Sequence, residues 1–543
     1  MASGRGFVTG GPTGSGPSIL VAGAGPAGLA LALQAHDHGA DVRVIERRSE
    51  LCRPSRALIL HSRTLEMLRP LGVTDALLAR ADVAPSAELR LGRRKVRVRL
   101  ADLALPDTAF PHLTLIRQAD VEAVLARALD DRGIGVERGT ELVGLHDERE
   151  GASAVLRSGG VRTEVIADVL CGCDGPDSTV RSEAGIGWPG CPYPVEIVLA
   201  DAELAGDLPD EGAQVVAGRD GLVFAFRLGE RAPWRLLVTR PASPDPVPFG
   251  QPGQAVPAAE LQSLLNQARS GIEIESLAWS ARVRVQHRVA RRFRRGRLYL
   301  VGDAAHAYSP ATGQGLNAAI QDALNLGWKL AFGASRPDSG ALLGSYEIER
   351  RPVARQVLAM THLAFWGEAG TGRVPALLRG RLAPLAAPAV PALMRRHRLV
   401  GEGVRLISQL RVNYRRSPIS AEDPLTRRHG RGARAGDRLS DEVVTCAGRN
   451  LPLHELIARP GVHVLLDRDA GALEDLALGP LVHLHRITSK PGCGLVAVRP
   501  DGYIGMRCQV AGREPLAAWL DLIRAPWPGN QPKLGLAGLR ASE

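Results

Sequence analysis

With 543 residues the chain exceeds what one hydrophobic core usually supports, so its length predicts two or three domains. A composition of 45% hydrophobic and 23% charged residues excludes long disorder and fibrous repeats. The formal charge of +11 comes almost wholly from arginine, and the densest basic run, Arg291 to Arg297, has neither an aromatic ladder beyond Phe293 nor zinc-ligand spacing, which argues for a solvated surface and against nucleic acid.

Residues 1–17 are rich in Gly, Ser and Thr with no apolar core, so they read as a flexible leader and not as an export signal. Seven cysteines, an odd number with no CxxC pair, predict reduced thiols, a cytoplasmic setting and no metal site. Ile19 to Ala35 is too short, and too broken by Gly23, Gly25, Pro26 and Gly28, to span a bilayer, so no membrane association is expected. Ser18 to Gly23 reads as a strand, Pro26 to His38 as a helix and Asp41 to Glu46 as a second strand, a βαβ opening. Val121 to Arg132 has helical spacing, and β-rich segments follow from Val136 to Cys171, where a turn at Asp174-Gly175 begins. Roughly Cys191 to Arg284 changes character to strand-like pieces around a Pro-rich stretch, which suggests an inserted domain. Leu298 to Val301 resumes the apolar strand pattern before a glycine-rich loop and a long helix from about Leu316 to Ala334. Helical character continues to about Leu410, and after a breaker-rich linker three strand-like runs predict a third, small α/β domain.

Three clusters carry chemistry. In Gly23-Ala24-Gly25-Pro26-Ala27-Gly28 the first glycine permits a tight turn, the second lets backbone approach a pyrophosphate, and the third allows close helix packing. Glu46, with Arg47 after it, stands about twenty residues on at the end of the second strand, placed to accept hydrogen bonds from an unphosphorylated ribose, as in FAD or NAD. Asp174, Gly175, Ser178 and Arg181 form the second cluster, which equally suits a capped helix start. In the third, Asp303 ends a strand and can hold a sugar-alcohol hydroxyl such as ribityl, while Gly313, Gln314, Gly315, Leu316 and Asn317 present free N–H groups at a helix N-terminus, a site for negative charge at the N1/O2 edge of a reduced flavin. His306 suits structural hydrogen bonding better than catalysis.

In this order and spacing the clusters resemble the class A flavoprotein monooxygenases, the para-hydroxybenzoate hydroxylase and aromatic polyketide hydroxylase family, over nearly the whole chain. Arg56 with Arg63, Thr64 and Glu66, the pair Arg117-Gln118, and Ser345 to Pro352 match its FAD-binding run. The resemblance implies that Glu46, Arg56, Gln118 and Asp303 contact FAD, that Asp174-Gly175 serves both FAD and NAD(P)H, and that Pro310 lies beside the flavin ring. It implies an α/β fold: a split Rossmann-like FAD-binding domain (18–190 and 285–370), an inserted β-sheet substrate domain (191–284), a helical connector (371–429) and a thioredoxin-like C-terminal domain (430–543) without the redox CxxC. Relatives carry two adjacent glycines where this chain has Thr312-Gly313, a departure that narrows the pocket or restricts flavin movement.

The implied reaction is hydroxylation of a bulky aromatic, polyketide-like molecule, as in antibiotic biosynthesis, through a flavin C4a-hydroperoxide formed from FAD, NADH or NADPH, and O2. No protein nucleophile or metal is required, and the catalytic residues are not identified; Arg235 is a candidate for the substrate pocket or for nicotinamide contact, and equally suits a surface arginine. Baeyer–Villiger insertion into a polycyclic ketone or quinone uses the same parts, and a flavin-binding partner protein that does not oxygenate is a third reading. The expected assembly is a monomer or homodimer. No paired-tryptophan motif of flavin-dependent halogenases is found.

Overall fold

A computed structural model of the chain describes residues 16–50, 59–83, 85–92, 94–99, 103, 105–147, 151–209, 212–218, 221–243, 252–424, 426, 432–467, 478–487, 494–509 and 511–528. Arg56 and nearly all of the leader lie outside the described residues. The fold is a mixed α/β arrangement built on three sheets and their helices, with two smaller three-stranded sheets.

The first sheet has six strands in the order Arg294–Arg295, Leu298–Leu300, Val169–Gly172, Ser18–Ala22, Asp41–Glu46 and Val136–Arg138. Its central strands pair in parallel, with Val21 opposite both Cys171 and Val44. They are continuous apolar runs because both faces are covered. Two helices, Pro26–His36 and Gln314–Gly333, pack against each other on it. The second is buried along almost its whole length, and its polar residues Gln314, Asn317, Gln321, Asp322, Asn325 and Lys329 are hydrogen-bonded inside the protein. Strand Leu298–Leu300 joins this sheet only after the chain has made an excursion through the second one.

That second sheet has eight strands: His306–Ala307, Ile272–Val289, Gly190–Gly206, Trp234–Pro241, Gly221–Phe226, Ala213–Gly218, Ser86–Leu91 and Arg94–Arg99. The last two come from much earlier in the chain than the other six. Their Arg- and Lys-rich alternation, RKVRVR, suits an exposed edge. Side chains alternate across the sheet. Val198, Ala200, Val223, Ala225, Leu236 and Val238 pack on helix Ala258–Gln267. Tyr193, Val195, Ile197, Leu199 and Val285 face the other way, toward Ala311 and toward Phe365 and Ala369 of helix Gly340–Ala369.

The C-terminal unit is a seven-stranded sheet in which Val462–Asp467 is central, closed by helix Arg513–Leu522. Its core is continuous with the body: Trp328, Phe332 and Leu342 pack with Val462, Leu495, Leu516 and Trp519. Short helices between Arg373 and Ile407 lie between the two along the chain and pack on strands Ala213–Gly218 and Arg94–Arg99. Among the described residues no helix is long and apolar enough to cross a membrane.

Candidate cofactor and substrate site

The three clusters meet at the carboxyl end of the six-stranded sheet. Gly23 adopts φ +104°, and a Cβ there would fall 2.3 Å from the Cys173 carbonyl oxygen, so only glycine lets the first loop pass the second. A Cβ on Gly28 would fall 1.9 Å from the Gly23 carbonyl oxygen, because the helix sits tightly on the turn. Gly25 differs: a Cβ there meets nothing within 4 Å. Its missing side chain leaves open space at the helix N-terminus, where Pro26 gives up the donor an N1 residue would leave unpaired and Ala27 and Gly28 follow. The gap fits a pyrophosphate.

Glu46 ends its strand beside this loop. Its carboxylate accepts from the backbone N–H of Ala24 (2.9 Å) and of Arg48 (3.0 Å), which fixes its direction and leaves lone pairs for a diol. Arg47 is exposed next to it. Arg117 pairs with Asp120 at 2.6 Å, and Gln118 donates to Glu122 at 2.8 Å at the start of helix Gln118–Asp130. Burial holds the Glu122 carboxyl up at about 7 against that bond.

Asp174 accepts from the Val180 N–H (3.1 Å) with one oxygen, while the other is buried without a partner. Burial raises its pKa. An orphaned carboxylate oxygen in the loop that flanks the Gly23 turn fits a ligand hydroxyl or amide. Ser178 caps its helix by accepting from the Arg181 N–H, and Arg181 donates to the carbonyls of Ala304 (2.9 Å) and Pro176 (2.7 Å), with its guanidinium 3.8 Å from the Trp188 ring centroid. Arg181 therefore locks the Asp174-Gly175 loop to the Asp303 loop, a positioning role that its sequence spacing did not reveal.

Asp303 is exposed on the short turn Gly302–Ala304, and Pro310 is exposed further along. Helix Gln314–Gly333 then begins at Gly313, with Gly315 open around its Cα and Leu316 and Asn317 buried. Asn317 ties the loop down: it donates to Gly313 (2.7 Å) and Ile59 (2.9 Å) carbonyls and accepts from the His61 N–H (2.8 Å). Thr312 and Gly313 both take left-handed backbone, φ +64° and +65°. Glycine does this freely, but a β-branched residue is strained there by about 1–2 kcal/mol. His61 donates from Nε2 to the Thr312 carbonyl (2.9 Å), and the Thr312 hydroxyl is buried without a partner.

His306 is buried, with its Nε2 2.6 Å from Asp322, whose other oxygen meets Arg350; the imidazole is part of the frame under the loop. Arg63, Thr64 and Glu66 and the stretch Ser345–Pro352 are also frame. Arg63 donates to the Asp501 carbonyl, Glu66 pairs with Arg438, and Tyr346 donates to the Leu300 carbonyl.

Facing the loop is the open side of the eight-stranded sheet. Val215, Phe224, Leu237 and Leu199 lie in one cross-strand row, and Phe224 and Phe226 are half-exposed and stacked with ring centroids 5.8 Å apart. Half-exposed aromatics on an otherwise packed sheet suit a flat apolar ligand. Arg235, in register with Phe226, is fully buried and closed in a pair with Asp201 (3.0 Å) and Glu230 (3.5 Å). It is therefore no surface arginine, and its desolvated guanidinium is stable only because it is paired.

A family model described as FAD binding domain matches residues 17–361. The chain is 31% identical over 552 residues to the 6-methylpretetramide 4-monooxygenase of Streptomyces rimosus, covering 94% of each chain. Among solved structures it is similar to the OxyS anhydrotetracycline hydroxylase of Streptomyces rimosus, with a TM-score of 0.75, 29% identity, and coverage of 94% of this chain and 99% of that one. It is likewise similar to CabE, an aromatic hydroxylase from angucycline biosynthesis, with a TM-score of 0.72, 27% identity, and coverage of 94% and 100%.

Proposed function

Since the chain belongs to the FAD-binding-domain family of flavin-dependent monooxygenases, we propose that it hydroxylates a bulky, multi-ring aromatic molecule of the polyketide class at the expense of NAD(P)H and O2. The observation that carries this reading is the convergence of the open Gly25 turn, the orphaned Asp174 oxygen and the Gly313 helix start opposite a half-exposed aromatic sheet face. The six-stranded sheet is read as a split dinucleotide-binding domain, and the C-terminal sheet as a thioredoxin-like appendage without redox cysteines.

Bound FAD would supply hydride acceptance and oxygen activation. The turn that Gly23 and Gly28 shape would admit its pyrophosphate at the open Gly25, Glu46 would hold its ribose, and Asp303 its ribityl chain, with Arg117, Gln118, Asp174 and Gly175 along its length. Pro310 and the N–H groups after Gly313 would border the flavin ring, where the helix start favours negative charge. The apolar face of Leu199, Phe224, Phe226 and Leu237 would orient the substrate and keep water away from the reacting atoms.

The test is direct. Purified protein should carry the absorbance of oxidised flavin at roughly 450 nm. Oxidation of NADH or NADPH under air should accelerate with anhydrotetracycline or a related multi-ring phenol and yield a product heavier by one oxygen. A colourless protein that cannot be loaded with FAD overturns the proposal. A product that hydrolyses as a lactone moves it to Baeyer–Villiger chemistry.

A further inference from the structure

Helix Gly340–Ala369 runs from the cofactor-side loop across the open sheet face. It meets the loop at Thr361, whose carbonyl accepts from the Ser309 hydroxyl at 3.0 Å, and it buries Phe365 and Ala369 against Tyr193, Ile197 and Ala311. Glu368 follows Thr361 by seven residues and Phe365 by three, so all three share the inward face, with Glu368 about 10 Å along the axis from Thr361. The helix end is fixed there, because Arg379 donates to the carbonyls of Gly367 (2.9 Å), Gly370 (2.8 Å) and Gly218 (3.1 Å), the last at the end of strand Ala213–Gly218.

Glu368 is half-buried, yet among the described residues it has no hydrogen-bond donor and no cation. Burial alone pushes its carboxyl up to about 7. Glu122 and Asp174 are raised as well, but Gln118 and the Val180 N–H bond to them. The titratable groups nearest the Thr361 end are engaged with one another: Tyr193 with His362 at 3.1 Å, and Cys191 with His287 at 3.3 Å. A half-buried carboxyl that no described protein group holds keeps its acceptor oxygens open to a ligand that covers this face.

Resting on the substrate reading above, we propose that Glu368 anchors the end of the substrate farthest from the flavin loop, accepting the hydrogen bond of a phenolic or enolic hydroxyl on a distal ring. A single ring seated at the loop is too short to reach it, whereas several fused rings span the distance. Glu368 thereby selects for length and for a distal protic group.

The experiment titrates FAD-loaded protein with anhydrotetracycline and with phenol, following the flavin spectrum, for the unmodified chain, Glu368→Leu and Glu368→Gln. At about pH 8, above the Glu368 value of about 7, a lost hydrogen bond to a charged acceptor predicts about a tenfold higher Kd for anhydrotetracycline in Glu368→Leu, and a smaller rise in the isosteric Glu368→Gln, with the Kd of phenol and the FAD content unchanged. An equal loss for both probes, or no loss for either, overturns the anchor while leaving the substrate class standing. If the unmodified flavoprotein binds no anhydrotetracycline, the substrate reading fails and the anchor falls with it. Should Glu368→Leu not load FAD, Glu368→Gln decides by the same comparison.

Discussion

Gly25 and Gly28 stand three apart in one motif, yet their surroundings give opposite expectations. A methyl at Gly28 would collide with the Gly23 carbonyl, so Gly28→Ala should destabilise the chain by about 1–3 kcal/mol even without cofactor. A methyl at Gly25 meets only open space. Gly25→Ala should therefore leave apoprotein unfolding by urea unchanged and weaken FAD binding at least about tenfold, by blocking the approach of the pyrophosphate. Equal loss of stability in both variants would show that the gap at Gly25 is not a ligand site. Thr312 carries the reverse expectation. Its left-handed backbone costs about 1–2 kcal/mol, and glycine returns about 0.5–1 kcal/mol of that as unfolded-state entropy, so Thr312→Gly should be stabilising by up to about 1 kcal/mol in urea unfolding. If the strain holds the loop for turnover, the same variant will change the rate of NAD(P)H oxidation without changing FAD affinity.

At the scale of elements, helix Gln314–Gly333 is the part on which the cofactor-side loop depends. Its Asp322 binds His306 and Arg350 at once. Burial alone would raise the Asp322 pKa, but Arg350 and His306 more than offset it and hold it below the usual carboxylate range. Asp322→Asn leaves the Arg350 guanidinium buried with half its partners, so a loss of about 3–5 kcal/mol in urea unfolding is expected. Much of this scale was legible beforehand. The apolar runs at Ser18–Ala22 and Leu298–Leu300 and the glycines between strand and helix announce a parallel sheet, because a strand buried on both faces has no polar alternation to hide it. Strands Ser86–Leu91 and Arg94–Arg99 were not legible as members of the inserted sheet, since the pairing of Ser86–Leu91 with Ala213–Gly218 crosses more than a hundred residues and leaves no local trace. The same holds for side chains. Gly25 and Glu46 stand out by motif, whereas Arg181, Asp322 and Glu368 acquire meaning only when the fold brings Ala304, Arg350 and the open sheet face to them. Arg235 was visible as an arginine in a strand, but its closure by Asp201 is a contact across two strands.

Across the whole molecule, the C-terminal unit is held to the body by buried charge as well as by a shared core. Glu349 receives Arg499, Lys329, Asn325 and Ser417, while Glu66 receives Arg63 and Arg438, and Arg438 also reaches Asp107. Burial would raise the Glu66 pKa, but Arg438, His454 and Arg63 outweigh it and hold the carboxyl at about 2. A carboxylate whose folded pKa lies below its unfolded value near 4.3 contributes stability that is complete above the unfolded value and lost as the pH falls toward the folded one. Unfolding free energy from urea titrations should accordingly be level near pH 7 and decline from about pH 5 to pH 2. Glu66→Gln removes one partner of a buried pair and should cost about 3–5 kcal/mol at pH 7. It should also flatten the acid decline, since the residue that must be protonated is gone. Limited proteolysis at pH 7 locates the loss: cleavage should rise first between Arg434 and Leu439, where Arg438 is released, with flavin content retained. A variant as stable as the parent at pH 7, or one with the same acid slope, would mean that the shared core around Trp328 and Trp519 alone holds the C-terminal unit in place.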